Sequence, residues 1–300
     1  MKWFFLGLGF LFNFSFLAGG FSADSLKKTV AVFEFKNDSG YSGYANLGQD
    51  FSMQLSDALI QSGKFKVLTR QDLDVVMAEQ DLSRSGRMAK SKSARTGKII
   101  PAQILIKGRI TEFQENTSGG GQGLSIHGIS IGSKKSSAHI GVIVQLIDST
   151  TGEILGSKRV EGEARAGGFS IGYSGSWSLS SSSFKKTPLG KAVQMAIDRA
   201  VVYISDKLSS VSWKGRIVLA KDDGTVFINS GSNAGVKPGQ IFAVYREGEA
   251  LVDPDTGVEL GRENKKIADI KVFEVQEKFA KAKVEGIAQL PVSKGDLVLQ

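Results

Sequence analysis

Cysteine is absent from this 300-residue chain, histidine occurs twice and proline five times. Without cysteine there is no disulfide framework, no thiolate metal site, no cysteine nucleophile and no thiol on which to attach a lipid. His127 and His139 alone do not make a multi-histidine metal centre. No serine–base pairing and no pair of carboxylates stands out at a catalytic spacing. Gly119–Gly123 looks like a phosphate cradle at first sight. No helix opens after it, however, and no acidic residue sits where a ribose needs one. Nothing in the residues asks for a cofactor, and these absences together point to a non-enzymatic protein.

What is present is an apolar fraction of 41%, enough for ordinary buried cores. The length suits two domains. Lysine and arginine number 38 against 30 acidic residues, a formal charge of +8 that admits anionic partners and says nothing about fold. Arg84, Arg87, Lys90, Lys92, Arg95 and Lys98 form a basic run with no acid among them. It lacks the interleaved aromatics that stack on bases. A solvated loop or a subunit contact is the better reading, and nucleic acid is not expected as a partner. Asp253 and Asp255, around a proline and before Gly257, are turn chemistry rather than a calcium loop.

The first residues read as an address. Met1-Lys2 is a short basic start, Trp3–Leu17 is almost wholly apolar, and small residues follow to Ala23. A basic start, an apolar stretch of about 7–15 residues and a small-residue end make a secretory signal peptide. The run is shorter than the roughly 20 residues that a spanning helix needs. We place the signal at residues 1–22, with cleavage near Ser22. Export without cysteine suits the periplasm or outer membrane of a Gram-negative bacterium.

Residues 23–210 then read as an α/β domain. Thr29–Phe35 is β-branched and aromatic, a strand pattern. Leu47, Phe51, Leu55, Ala58 and Leu59 recur at helical spacing. Phe65–Leu68 is a second strand. Thr69 and Asp72 form an approximate capping box before a helix with Leu73, Val76 and Met77 on one face. Ile104–Ile110, Ile140–Ile147 and the stretch from Glu153 are further strands. Thr187-Pro188 starts a helix whose stripe runs from Leu189 to Leu208, a core face. From residue 213 to 300 short β-rich runs alternate with turns such as Pro238-Gly239 and Asp253–Gly257. That pattern predicts a small all-β, barrel-like domain.

Two glycine- and serine-rich stretches interrupt this regularity. In the second, Phe169, Ile171, Tyr173, Trp177 and Leu179 occupy odd positions between small polar neighbours. In the first, Leu124 and Ile126 alternate, and Ile129 and Ile131 follow one position out of phase. Alternation over segments of about 9–11 residues is the mark of membrane-spanning strands. The two candidate hairpins lie at 112–141 and 161–186. One subunit does not close a barrel, and an open edge does not sit in lipid, so several subunits would be needed. The other reading is a pair of Gly/Ser-rich loops or a soluble extension of the sheet.

Val30–Gly40, Phe51–Leu59, Lys66–Gln80, Ala102–Ile110, Val144–Asp148 and Thr151–Leu155 together resemble the curli-secretion, CsgG-type family, over roughly residues 29–208. The resemblance implies a periplasmic α/β domain with two inserted β-hairpins. It implies subunits in a homo-oligomeric ring, whose hairpins form an outer-membrane barrel that exports unfolded secreted proteins. The two Gly/Ser stretches fall where those hairpins belong. The family narrows its pore with a tyrosine and an Asn-Phe pair ahead of the first helix. The matching segment here offers Tyr44, Asp50 and Phe51, with Asp50 in place of the asparagine. Phe51 also reads as a core residue of that helix.

From Trp213 onward the chain resembles the C-terminal domain of the flagellar assembly protein FlgT. The resemblance rests on Val226–Asn229, Gly235–Gly239, Phe242–Tyr245, Asp253–Gly257 with Leu260-Gly261, and Lys294–Asp296. It implies a small β-barrel used for interaction. Together the two resemblances imply an envelope secretion or assembly component. The alternative is a soluble periplasmic module that docks to an envelope machine, flagellar or peptidoglycan-synthesising. A similar α/β core occurs in outer-membrane activators of peptidoglycan synthases.

Overall fold

The computed structural model describes residues 26–42, 46–85, 87–88, 99–118, 124–126, 129–131, 133–169, 186–255, 257 and 259–300. The segment read as a signal peptide lies outside them. Among the described residues there are two larger sheets and three α-helices, a mixed α/β architecture.

The first sheet has the order β3 (Phe65–Leu68), β1 (Lys28–Val32), β4 (Ile104–Ser118), β7 (Ser133–Asp148), β8 (Ile154–Phe169). The two-residue β2 (Lys36–Asn37) lies beside β4, and β5 (Leu124–Ile126) pairs with β6 (Ile129–Ile131) on their own. β3, β1 and β4 are parallel, whereas β4, β7 and β8 form an antiparallel meander. Parallel neighbours need crossovers, and the helices that follow β1 and β3 provide them.

α1 (Leu47–Gln61) and α3 (Pro188–Ser209) pack on each other and cover one face of this sheet. The α1 residues Phe51, Leu55 and Leu59 and the predicted α3 stripe, Leu189 through Leu208, supply the core. Two glycines set the depth of these contacts. A Cβ at Gly48 would meet the Phe35 carbonyl oxygen at 1.7 Å, and one at Gly162 would meet that of Ala192 at 1.8 Å. The Thr187 hydroxyl accepts from the Gly190 N–H at 3.0 Å, with Pro188 in the first turn, so α3 starts where the sequence places it.

α2 (Leu73–Arg84) departs from expectation. Thr69 and Asp72 do bond to each other, side chain to side chain at 2.9 Å, but they shape the turn ahead of the helix. No residue of α2 is buried. Val76 and Met77 stay exposed, so the face the sequence offers for packing finds no cover among the described residues.

The C-terminal strands β9 (Lys214–Ala220), β10 (Thr225–Ile228), β11 (Ile241–Val252), β12 (Glu259–Val275), β13 (Ala280–Glu285) and β14 (Leu297–Leu299) close into a ring, a barrel in the order β10-β13-β12-β11-β14-β9. Its core holds Ile217, Ile228, Phe242, Val244, Ile270 and Val298. Trp213 joins it, its ring 5.4 Å from that of Phe242. Leu26 belongs to the same core at 1% exposure. The Lys27 N–H donates to the Ala234 carbonyl at 2.9 Å, and the Gln103 amide donates to the Lys214 carbonyl at 3.2 Å. The barrel is thus built from the end of the chain and from the residue that precedes β1.

β11 and β12 run further than the apolar pattern predicts. Their ladder continues past the ring to Val252↔Glu259, forming an arm closed by the Asp253–Gly257 turn. Gly248 does not break it. It sits at a register shift where a Cβ would meet the Glu263 carbonyl at 2.8 Å.

Candidate functional site

The hydrophobic core under β4 and β7 ends at Phe113 and Ala138. The strands do not end there. β4 continues to Ser118 and β7 begins at Ser133, paired throughout, and β8 follows to Phe169 opposite Ser133. Past Ile110 no other described strand accompanies these three. At about 3.3 Å per residue the ribbon reaches about 17 Å beyond the core. Its base is polar, with Gln114, Glu115 and Asn116 exposed on β4.

The β5–β6 pair carries the first set of candidate membrane-facing residues. Its register sets Leu124 opposite Ile131, Ile126 opposite Ile129 and Ser125 opposite Ser130. Apolar positions therefore pair with apolar ones and serine with serine. The slip in phase along the sequence is the change of strand. Phe169 is the last residue of β8. Ile171, Tyr173, Trp177 and Leu179 lie outside the described residues, as does the return of the second candidate hairpin through residue 185.

A charged cluster crosses the ribbon at its base. Arg159 on β8 reaches over β7 to Glu112 on β4, Nη2 to Oε1 at 2.6 Å, and binds Glu161 through Nε at 2.7 Å. Gly141 lies beneath it, and a Cβ there would come within 3.0 Å of the guanidinium. His139 Nε2 lies 2.7 Å from Glu112 Oε2, and its Nδ1 lies 3.6 Å from Glu163. Arg159, and after it His139, hold the Glu112 carboxyl below its ordinary range. Glu112, with Glu161, holds the Arg159 guanidinium above its own. Sequence reasoning missed this cluster, because its members meet only through the register of three strands. Among the described residues no group of three acidic or histidine side chains is arranged to hold a metal ion.

Two of the three residues of the expected constriction fall among the described residues. Tyr44 lies outside the described residues. Asp50 is half-buried on the first turn of α1. Phe51 must be withdrawn from the set. Its side chain is fully buried, 5.1 Å from the Phe35 ring, and a ring packed in the core lines no passage. The loop ahead of α1 is tied to the ribbon instead through Tyr41, whose ring meets Phe113 edge-on at 4.8 Å. The Asn37 amide donates to the Tyr41 carbonyl at 2.9 Å. No described helix is long and apolar enough to cross a membrane, which says nothing about strands.

A sheet with helices on one face, a three-stranded ribbon prolonging it and a barrel sharing a core with the start of the α/β layer define a two-part α/β and all-β protein. Its sequence places it further. Residues 20–226 match the model of the curli production assembly/transport component CsgG, and residues 223–300 match that of the flagellar assembly protein T, C-terminal domain. The first match spans more than half of the chain, and the protein belongs to the CsgG family. No curated protein matches it.

Solved structures with remote likeness include the hypothetical protein CT253 from Chlamydia trachomatis. It is 16% identical, covers 61% of this chain and 98% of its own, and has a TM-score of 0.37. A PelC dodecamer from Paraburkholderia phytofirmans is 14% identical over 58% of this chain and 86% of its own, with a TM-score of 0.29. The lipoprotein GNA1162 from Neisseria meningitidis is 17% identical over 60% and 99%, with a TM-score of 0.27.

Proposed function

We propose that this protein is a non-enzymatic secretion or assembly component of the bacterial envelope, a subunit of a ring-forming outer-membrane channel. In this reading residues 1–22 direct export, 23–210 form the α/β domain and 213–300 an interaction domain whose core Leu26 joins. The ribbon of β4, β7 and β8, with the segment that follows Phe169, supplies the strands of a barrel shared between subunits. The observation that carries it is the continuation of three paired strands beyond the core, towards a hairpin that pairs apolar positions with apolar ones. Closure among copies satisfies the outer backbone groups that the extension leaves open. Membership of the CsgG family supports the same reading. Transport through such a channel is passive, and its cargo is an unfolded secreted chain. Tyr44 and Asp50 remain the candidates for its narrowest point.

The test is envelope fractionation of the full chain from a Gram-negative host. A heat-dissociable, high-mass species in the outer-membrane fraction, followed by discrete conductance steps in planar bilayers, is the expected result. Recovery as a soluble periplasmic monomer overturns it and favours a second reading, a docking module of an envelope machine. The β11–β12 arm favours that second reading, since Leu251, Val252 and Leu260 are exposed towards its end.

A further inference from the structure

Two surfaces of the α/β domain answer each other. The first is α2, which follows the edge strand β3. Val75, Ala78 and Leu82 recur at i, i+3 and i+7, a single stripe of the helix. Val75 is 70% exposed and Leu82 41%, so the stripe faces away from the body, while Leu73, Gln80 and Ser83 are the less exposed positions. Asp74 and Asp81 flank the stripe on one side and Glu79 on the other.

The second surface is a groove of about 400 Å³ between the other edge strand, β8, and α3. Val202, 60% exposed, and Tyr203 form its apolar floor. Lys158, Arg159 and Arg199 rim it. Lys158 Nζ stands 5.6 Å from the centre of the Tyr203 ring. Arg159 is bound to Glu112 and Glu161, and Asp198 accepts from the Gln194 amide, so Lys158 and Arg199 are the cations of the groove that face no carboxylate partner among the described residues. The chain thus carries an apolar ridge flanked by carboxylates and an apolar trough with Lys158 and Arg199 on its rim.

We propose that α2 of one copy seats in the β8–α3 groove of the next. The occupant is a second copy because ridge and groove match in apolarity and in charge. A contact between two different faces of the same chain is head-to-tail, and it yields a closed ring when the rotation closes. The central apolar contact excludes water, and the charges around it fix orientation and reject a like-charged partner. The proposal rests on the assembly proposed above and names the interface that makes it.

The absence of cysteine allows a clean test. Full-length Val75→Cys and Val202→Cys chains, carrying different tags, are co-expressed and mildly oxidised. Neither position is in a core. A disulfide dimer bearing both tags is expected, and it is absent when Val202→Cys is replaced by Leu219→Cys on the barrel. Asp74→Lys with Asp81→Lys is expected to lose assembly, and adding Lys158→Glu to recover part of it. The mass of the unmodified protein in detergent, by light scattering, separates the outcomes. An assembled wild type without the mixed dimer overturns this interface and leaves the ring standing. A monomeric wild type overturns both.

Discussion

Glu112 shows how much one carboxylate can organise without burial. It receives Arg159 from two strands away and His139 from the strand between, and it joins all three strands where the ribbon leaves the sheet. Its folded-state value lies below the ordinary carboxylate value of 4.5. A depressed value means a contribution to stability that is complete above about pH 4.5 and is lost as the pH falls through the folded value. Glu112→Gln is therefore expected to flatten the pH dependence of stability below about pH 4.5 and to leave the neutral fold intact, as read by urea unfolding at stepped pH. Phe51 is the opposite case. Its ring fills the space between α1 and Phe35, so Phe51→Ala should cost about 3–5 kcal/mol of unfolding free energy. Phe51→Leu, which keeps most of the volume, should leave channel conductance unchanged. A conductance change with wild-type stability would return Phe51 to the pore.

Among the elements, α3 was the most legible. Its Thr-Pro start and its stripe need only local rules, and the residues of that stripe are the ones that form the core. The close approach of α3 to β8 was not legible, because it depends on Gly162, one glycine among many in the sequence. Gly162→Ala is expected to lift α3 from the sheet and cost about 1–3 kcal/mol, measured by thermal unfolding. Strand ends were misread for a related reason. The apolar pattern stops at Ile110 and resumes at Ile140, with 112–141 read as a candidate hairpin, and in the C-terminal part it falls short of the full β11–β12 ladder. In both places the backbone ladder runs through, since cross-strand pairing supplies what propensity lacks. The phase slip between Ile126 and Ile129 was visible from the start. Reading it as a reversal needed the register.

At the scale of the whole molecule the two layers share more than a linker. Leu26 belongs to the barrel core, and Gln103 of the α/β layer bonds to the first barrel strand. Composition and turn spacing announced a second unit after residue 213, but no local pattern marks Leu26 as part of it. Leu26→Ala is expected to cost about 2–5 kcal/mol and to change the emission of Trp213, which lies in the same cluster. A wild-type spectrum and midpoint would show that the contact carries no weight. This contact also has a consequence for biogenesis. A chain emerging in order from the ribosome or a translocation pore presents Leu26 early and Val298 last, nearly the full length apart. Bringing such distant segments together is slow, because the loop between them must close before the contact is gained. Until then Leu26 stays uncovered in an otherwise folded α/β layer. A prematurely terminated product exposes an apolar residue at its own beginning, where quality-control proteases and chaperones can read it. Seating Leu26 against the turn at Ala234–Gly235 thus couples the maturity of the first strand to formation of the barrel.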